Sequence, residues 1–342
     1  MAPENPMDHD ETMPKTVGEI GERGLIELML RHITPMPNMP IPFWDDVMAV
    51  SLGDGRAAVM NTDMLVWSTD IPPGMSHFQA ARKAVVMNFS DLGAKGVQPQ
   101  AFLSSLGIPR DVRVDDVEEL AKGFEAGARE YGGYVIGGDT NEAPDIIISG
   151  VAFGVGEENR LMKRKGTTPG DVLAATGRFG DTAAAFKILL EGVDAPDALR
   201  EKLLASVYTP NARVREGIAL GESGAVTASI DSSDGLAVSL YDLSRSSGVG
   251  FKLHTLPISA MAEEFAGIHD MDPGKLALYG GEEYELVFTV KPSEMDMARE
   301  ALRTVGCDLL ELGVATSTRR MVLVEDGVET LIKKGGWEHF TG

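Results

Sequence analysis

Tyr134-Val-Ile-Gly-Gly-Asp-Thr-Asn141 changes character halfway along its length. Tyr134, Val135 and Ile136 are residue types that favour a strand. Gly137 and Gly138 lack a Cβ, so the chain there can turn sharply and admit a ligand to its backbone. Asp139 follows with a free carboxylate at what reads as a strand end, the place from which α/β proteins present their chemistry. The stretch therefore predicts a strand over 134–136, a turn open to a ligand, and an acid facing a pocket.

Working outward, residues 114–131 put Val117, Leu120, Phe124 and Ala128 on one helical face, and 101–108 read as a strand. Residues 78–97 predict a helix carrying Asn88-Phe-Ser-Asp-Leu92. Asp91 in such apolar company must be paired or coordinated. Residues 47–52 and 57–60 form a strand pair about Gly53-Asp-Gly55. Its mouths hold Asp45, Asp46 and Asp63, the last following Asn61 and Thr62. Residues 25–32 predict a helix, the proline-rich 34–42 a loop, and 146–155 a strand.

Residues 159–171 are basic and turn-rich, with Arg160, Lys163, Arg164 and Lys165. They mark a domain boundary, and read either as a segment touching phosphate or as a solvated linker. Beyond them the α/β rhythm resumes, with strands at 172–176, 251–256 and 286–290 and a glycine turn at 177–184 leading into a helix. Asp231-Ser-Ser-Asp234 closes another strand and opens a helix. The expectation is an α/β (α+β) chain in two domains, 16–158 and 159–342, after a polar tail at 1–15 expected to be disordered.

A net charge of −21 argues against nucleic acid or an anionic membrane as partner. It also requires that any anionic substrate be met through something positive, most naturally a bound divalent metal. Cys307 is the single cysteine, which excludes an internal disulfide and a cysteine-rich zinc site and sets a cytoplasmic expectation. No apolar run has the length of a membrane span, and the first residues lack the pattern of a signal peptide.

The chain contains no G-x-x-x-x-G-K-[ST], G-x-G-x-x-G, H-E-x-x-H or G-x-S-x-G. What it offers is carboxylates beside glycines: Asp46, Asp63, Asp91, Asp139, Asp231 and Asp234. Oxygen-only donors suit a hard cation, and Mg²⁺ combines a few carboxylates with phosphate oxygens. Taken singly, each Asp also suits a helix cap or a turn.

In order along the chain, several motifs carry a resemblance. They are Thr62-Asp-Met64, Asn88-Phe-Ser-Asp-Leu92, Ile136-Gly-Gly-Asp-Thr140, Lys163-Arg-Lys-Gly166, Ile230-Asp-Ser-Ser-Asp-Gly-Leu236, Gly280-Gly-Glu-Glu-Tyr-Glu-Leu286 and Gly336-Trp-Glu-His-Phe340. Together they resemble the thiamine-monophosphate kinases, of the aminoimidazole-ribonucleotide synthetase-like superfamily. The resemblance implies an N-terminal domain whose sheet pairs across a homodimer and a C-terminal α/β domain closing over it. It implies direct transfer of the ATP γ-phosphoryl to thiamine phosphate. On it, Asp46, Asn61, Thr62, Asp63, Asp91, Asp139, Asp231 and Asp234 hold Mg²⁺, and Gly138, Asp139, Arg164 and Ser233 contact ATP. Asp139, Asp91 and Arg164 are the expected catalytic set; Glu282 and Trp337 meet the thiamine end. Trp337 would offer its face to a cationic ring, or else pack as a core aromatic.

Two departures stand at the substrate end. Trp67-Ser-Thr-Asp-Ile71 replaces the family's Glu-Gly-x-His-Phe, which puts Asp70 where the histidine falls, as a substitute ligand. Trp44 stands before Asp45 where a glycine is usual. The other readings are a different ATP-dependent enzyme of the superfamily, such as aminoimidazole-ribonucleotide synthetase, and a non-catalytic acidic metal-binding protein.

Overall fold

A computed structural model describes residues 16–336; the expected tail at 1–15 and Trp337 lie outside them. Among the described residues, 16–37 form one unit and 38–336 another. The first carries α1 (Val17–Leu30), interrupted at Gly21, where φ is 66°. It begins well before the helix expected at 25–32, because Thr16 and Glu19 close a capping box.

The second unit opens with β1 (Met48–Ser51), β2 (Arg56–Val66), α2 (Trp67–Asp70), α3 (His77–Ala94), β3 (Pro99–Ile108), α4 (Val114–Glu130), β4 (Tyr134–Glu142) and β5 (Ile147–Glu157). The strands make a five-stranded sheet in the order β1-β2-β5-β3-β4. Only β3 and β4 run parallel, and α4 supplies the crossover that a parallel pair needs.

Two strands run further than the sequence predicts. β2 continues through Asn61-Thr62-Asp63 because β5 pairs with it from Arg56 to Val66. β4 does not stop at Gly137 but pairs with β3 as far as Glu142, with a bulge at Ile136. A Cβ on Gly138 would lie 1.9 Å from the Ser104 carbonyl oxygen, so this glycine serves a close approach between strands rather than a turn. Asp139 is thus a mid-strand residue on an exposed sheet edge.

Helices α3 and α4 cover one face of this sheet. Phe89, Phe102 and Phe124 pack between the layers, with ring centroids 6.1 Å apart for Phe89–Phe102 and 5.9 Å for Phe102–Phe124. The other face carries exposed Thr62, Met64, Leu103 and Ser105.

The rest of the chain supplies β6 (Val172–Ala175), α5 (Asp181–Glu191), α6 (Asp197–Tyr208), α7 (Val214–Ser223), β7 (Val226–Asp231), α8 (Leu236–Ser247), β8 (Gly250–Leu253), α9 (Ala260–Ile268), α10 (Pro273–Tyr279), β9 (Leu286–Val290), α11 (Met295–Thr304), β10 (Leu310–Thr316), β11 (Met321–Glu325) and β12 (Val328–Leu331). Seven strands form one sheet, ordered β12-β11-β8-β10-β6-β9-β7. β9 is buried along its whole length, which is why Leu286–Val290 reads as an apolar run, interrupted by Thr289, with no alternation.

The two halves share packing. Ala212, Val214 and Tyr284 join the first half's core, while Ala94 joins a cluster with Met162, Leu220 and Leu286. Helices α3 and α7 meet through backbone: a Cβ on Gly217 would fall 1.9 Å from the Gly93 carbonyl oxygen. That contact brings the C-terminal end of α3 against the second half.

Candidate functional site

The site is built around α3, whose last turns face β2 on one side and β7 on the other. Asp46, Asp91 and Asp231 each present a carboxylate oxygen, and the three oxygens lie within 4.8 Å of one another. Asp91 comes from the helix, Asp231 from the last position of β7, and Asp46 from the loop before β1. Asn61 and Asp63, two residues apart on β2, point to the same helix-covered face. Asn61 Nδ2 donates to Asp91 Oδ2 at 2.6 Å and to Asp63 Oδ2 at 3.3 Å. Ser90 Oγ donates to Asp231 Oδ2 at 2.7 Å, so adjacent residues of α3 reach two of the acids. Asn88 Oδ1 accepts from the Asp63 N–H at 3.2 Å and anchors β2 to the helix. The alternation that exposes Thr62 on the outer face buries Asn61 and turns Asp63 inward.

Crowding buried carboxylates costs free energy, and their protonation records it. Burial, then the charge of Asp46, pushes Asp63 up to about 6 against hydrogen bonds from Asp91 and Asn61. Burial, then Asp46, pushes Asp231 up to about 7. Asp91 is held well above the carboxylate range by burial and by Asp63, Asp231 and Asp46.

Two cations face the acids. Lys95, with 0% exposure, lies between Asp45 Oδ1 at 2.6 Å and Asp46 Oδ2. Burial alone would lower its pKa, but Asp45 and Asp46 outweigh that and raise it. Its Nζ also donates to the Ser229 carbonyl at 2.8 Å. Arg164 donates from Nε to Asp46 Oδ1 at 2.6 Å and from its backbone N–H to Asp45 Oδ2 at 2.9 Å. It pairs with Asp242 at 3.3 Å. One arginine of the basic segment therefore enters the site. Trp44, just before the two acids, has φ 72°, the left-handed region that suits the glycine expected there. The Arg245 guanidinium lies 4.7 Å from its ring centroid, a cation–π contact that offsets part of the strain.

The Gly280–Leu286 segment adjoins this cluster and is strained as well: Glu282 has φ 65° and Tyr284 φ 53°. The Glu282 N–H donates to the Ser233 carbonyl at 2.6 Å and the Tyr284 N–H to that of Ser232 at 3.0 Å. Successive side chains then go to different anchors. Glu282 meets Lys83 at 2.5 Å, Glu283 accepts from the Gly180 N–H at 2.6 Å, and Glu285 takes both Nη2 and Nε of Arg213 at 2.6 and 2.8 Å. The Tyr284 hydroxyl is pushed far up by burial, then by Glu282, Asp231, Asp63 and Asp234, which places this segment in the field of the acids.

Other expected site residues stand elsewhere. The Thr62 hydroxyl donates to the Gly150 carbonyl at 2.8 Å on the sheet's outer face. Register carries Asp139 to that face too, opposite Ser105, while Gly138 pairs with Ser104 in the same edge strand. The Asp70 carboxylate folds back to accept from the Val66 N–H at 2.7 Å. Ser233 and Asp234 lie exposed in the loop after β7. Lys83 and Lys95 escaped the sequence reading, although a lysine inside an apolar helix or at its end deserved the question put to Asp91.

Residues 44–156, which hold the first sheet and Asp46, Asp63 and Asp91, match the family described as AIR synthase related protein, N-terminal domain. Fold and carboxylate site thus define a protein of the AIR synthase related class. Within it, the chain is 37% identical over 300 residues to the thiamine-monophosphate kinase of Pyrococcus horikoshii, covering 87% of this chain and 91% of the relative. The enzyme of that name from Nitrosopumilus maritimus is 35% identical over 282 residues, 82% and 89% of the two chains. A solved structure of AaThiL complexed with AMPPCP and TMP superposes with a TM-score of 0.83 at 26% identity, over 96% of this chain and 100% of that one. The chain belongs to the thiamine-monophosphate kinase family.

Proposed function

We infer that this chain transfers the γ-phosphoryl of ATP directly to thiamine phosphate, giving thiamine diphosphate and ADP. The observation that carries the reading is full-length similarity to kinases of that name, including one whose structure holds AMPPCP and TMP together. The chain's own chemistry supports it. Phosphoryl transfer asks for positioning and charge neutralisation more than for covalent catalysis. The acceptor is itself a phosphate and needs no strong general base.

The acids fit Mg²⁺. Three carboxylates converge, and the Asn61 Oδ1 is buried without a hydrogen-bond partner, an oxygen still to be satisfied. Asp46, Asn61, Asp63, Asp91 and Asp231 would hold the metal, with Asp234 from the neighbouring loop; Thr62 and Asp139 join this set on the family resemblance alone. When bound, Mg²⁺ neutralises phosphate oxygens that the acidic site would otherwise repel. On this reading Arg164 takes an ATP phosphate, with Gly138, Asp139 and Ser233 in the nucleotide set on the family resemblance alone, while Lys95 keeps Asp45 and Asp46 in place. Asp70, Glu282 and Trp337 are assigned to the acceptor.

The same reading makes 16–158 and 159–342 the two domains, with strands of the first sheet ending at Glu157 and those of the second beginning at Val172. It makes the chain a cytoplasmic homodimer. Among the described residues no helix is long and apolar enough to cross a membrane. The outer face and free edge of the five-stranded sheet expose Met64, Leu103, Tyr134 and Ile136, apolar surface of the kind a second copy covers.

The test is ADP release from Mg-ATP with thiamine phosphate and thiamine offered in parallel. We expect turnover with thiamine phosphate only, abolished by chelating the metal and reduced at least about 100-fold in Asp91→Asn, as loss of a charge-stabilising group predicts. Mg-ATP binding with no turnover of either compound would favour another ATP-dependent enzyme of the superfamily, and metal binding with no use of ATP the non-catalytic reading.

A further inference from the structure

Lys83 has 0% exposure in the middle of α3, yet it ends in a charge. Burying an ammonium is costly unless its donors are used, and an apolar side chain would hold the helix packing as well. Two of its contacts are defined. Nζ donates to Glu282 Oε1 at 2.5 Å and to the Asp70 carbonyl oxygen at 3.3 Å. The lysine therefore joins the end of α2 to a segment 199 residues beyond the lysine itself. Both of those segments are assigned above to the acceptor.

Glu282 is what makes this contact more than a staple. Its backbone is in the left-handed region and its N–H is fixed on the Ser233 carbonyl, so the main chain that carries the carboxylate is held, and Lys83 is the side-chain contact that orients it. Lys83 occupies Oε1, while Oε2 is buried with no hydrogen-bond partner. Lys83 keeps no exposure while the Glu282 side chain keeps 24%, so of this pair only the glutamate reaches the surface.

We propose that Lys83 is a positioning residue that fixes the Glu282 carboxylate, leaving Oε2 to accept a hydrogen bond from an N–H donor on the organic end of the acceptor. This rests on the thiamine phosphate reading and deepens it: the donor is the exocyclic amino group of the acceptor's pyrimidine, and Glu282 presented by Lys83 recognises it. Lys83 touches neither ATP nor the reacting phosphates.

Steady-state kinetics test this on the full chain with Mg-ATP. Lys83→Met, of similar length and apolar, should raise the KM for thiamine phosphate at least tenfold while the KM for ATP stays within twofold. Glu282→Gln should do the same. The double variant Lys83→Met/Glu282→Gln, which removes both charges of the pair and so should fold even where Lys83→Met does not, should match Glu282→Gln within threefold. A lowered melting temperature with both KM values unchanged in Lys83→Met would make the lysine structural and overturn the proposal. A further rise beyond threefold in the double variant would mean that Lys83 acts on substrate directly, and would also overturn it. The parent protein run alongside separates the two failures: no turnover of thiamine phosphate by the parent sinks the underlying reading, and this proposal with it.

Discussion

Glu283 shows how much a single residue here depends on its surroundings. Its carboxyl is pushed up to about 8, first by burial, with the charges of Asp181 and Glu285 adding and the Gly180 N–H opposing. The folded chain thus keeps a proton that the unfolded chain releases near pH 4.5. Its contribution to stability is present below that pH and is lost as pH rises towards and through about 8. Glu283→Gln retains an acceptor for Gly180 and removes the ionisation. Its melting temperature should gain on the parent's steadily between pH 5 and pH 8 and level off above, read by thermal denaturation; parallel curves for the two proteins would disprove the assignment. Trp44 makes a related point. A tryptophan at φ 72° stands where a glycine is expected, and a contact from across the fold, with Arg245, offsets part of its strain.

Among the elements, α3 carries most of the site: Lys83, Asn88, Ser90, Asp91 and, at its cap, Lys95. The sequence announced this helix and its oddest residue, because an acid in an apolar run has few explanations. It did not announce where the lysines end, since a buried cation and a snorkelling one look alike in sequence. The helix is held by close approach as well as by side chains. Gly217→Ala places a Cβ against the Gly93 carbonyl and should destabilise the chain by about 2–3 kcal/mol. A lower urea midpoint at unchanged slope is the expected result. β4 runs past the expected turn for a physical reason: two glycines usually mean a turn, but here the parallel neighbour β3 pairs through them. Residue order cannot show that a strand has a partner on the far side of a helix.

On the scale of the whole molecule, Asp139 and the buried acids lie on opposite faces of one sheet, the first on the face that a second copy would cover. If that face is the dimer interface, Ile136→Lys should shift the protein from dimer to monomer in sedimentation velocity and reduce activity along with it. A monomeric parent protein would remove the interface from the account. The sequence by itself determined the chemistry on offer: oxygen donors beside glycines, an excess of negative charge that calls for a cation, and motifs whose order marks a family. Those properties are local, fixed by residue type and spacing. The tertiary structure decided which donors meet. Strand alternation set Asn61 and Asp63 inward and Thr62 outward, and the α3–α7 crossing brings Asp231 to Asp91. Lys83 and Glu282 meet because distant segments pack at one place, which residue order alone does not give.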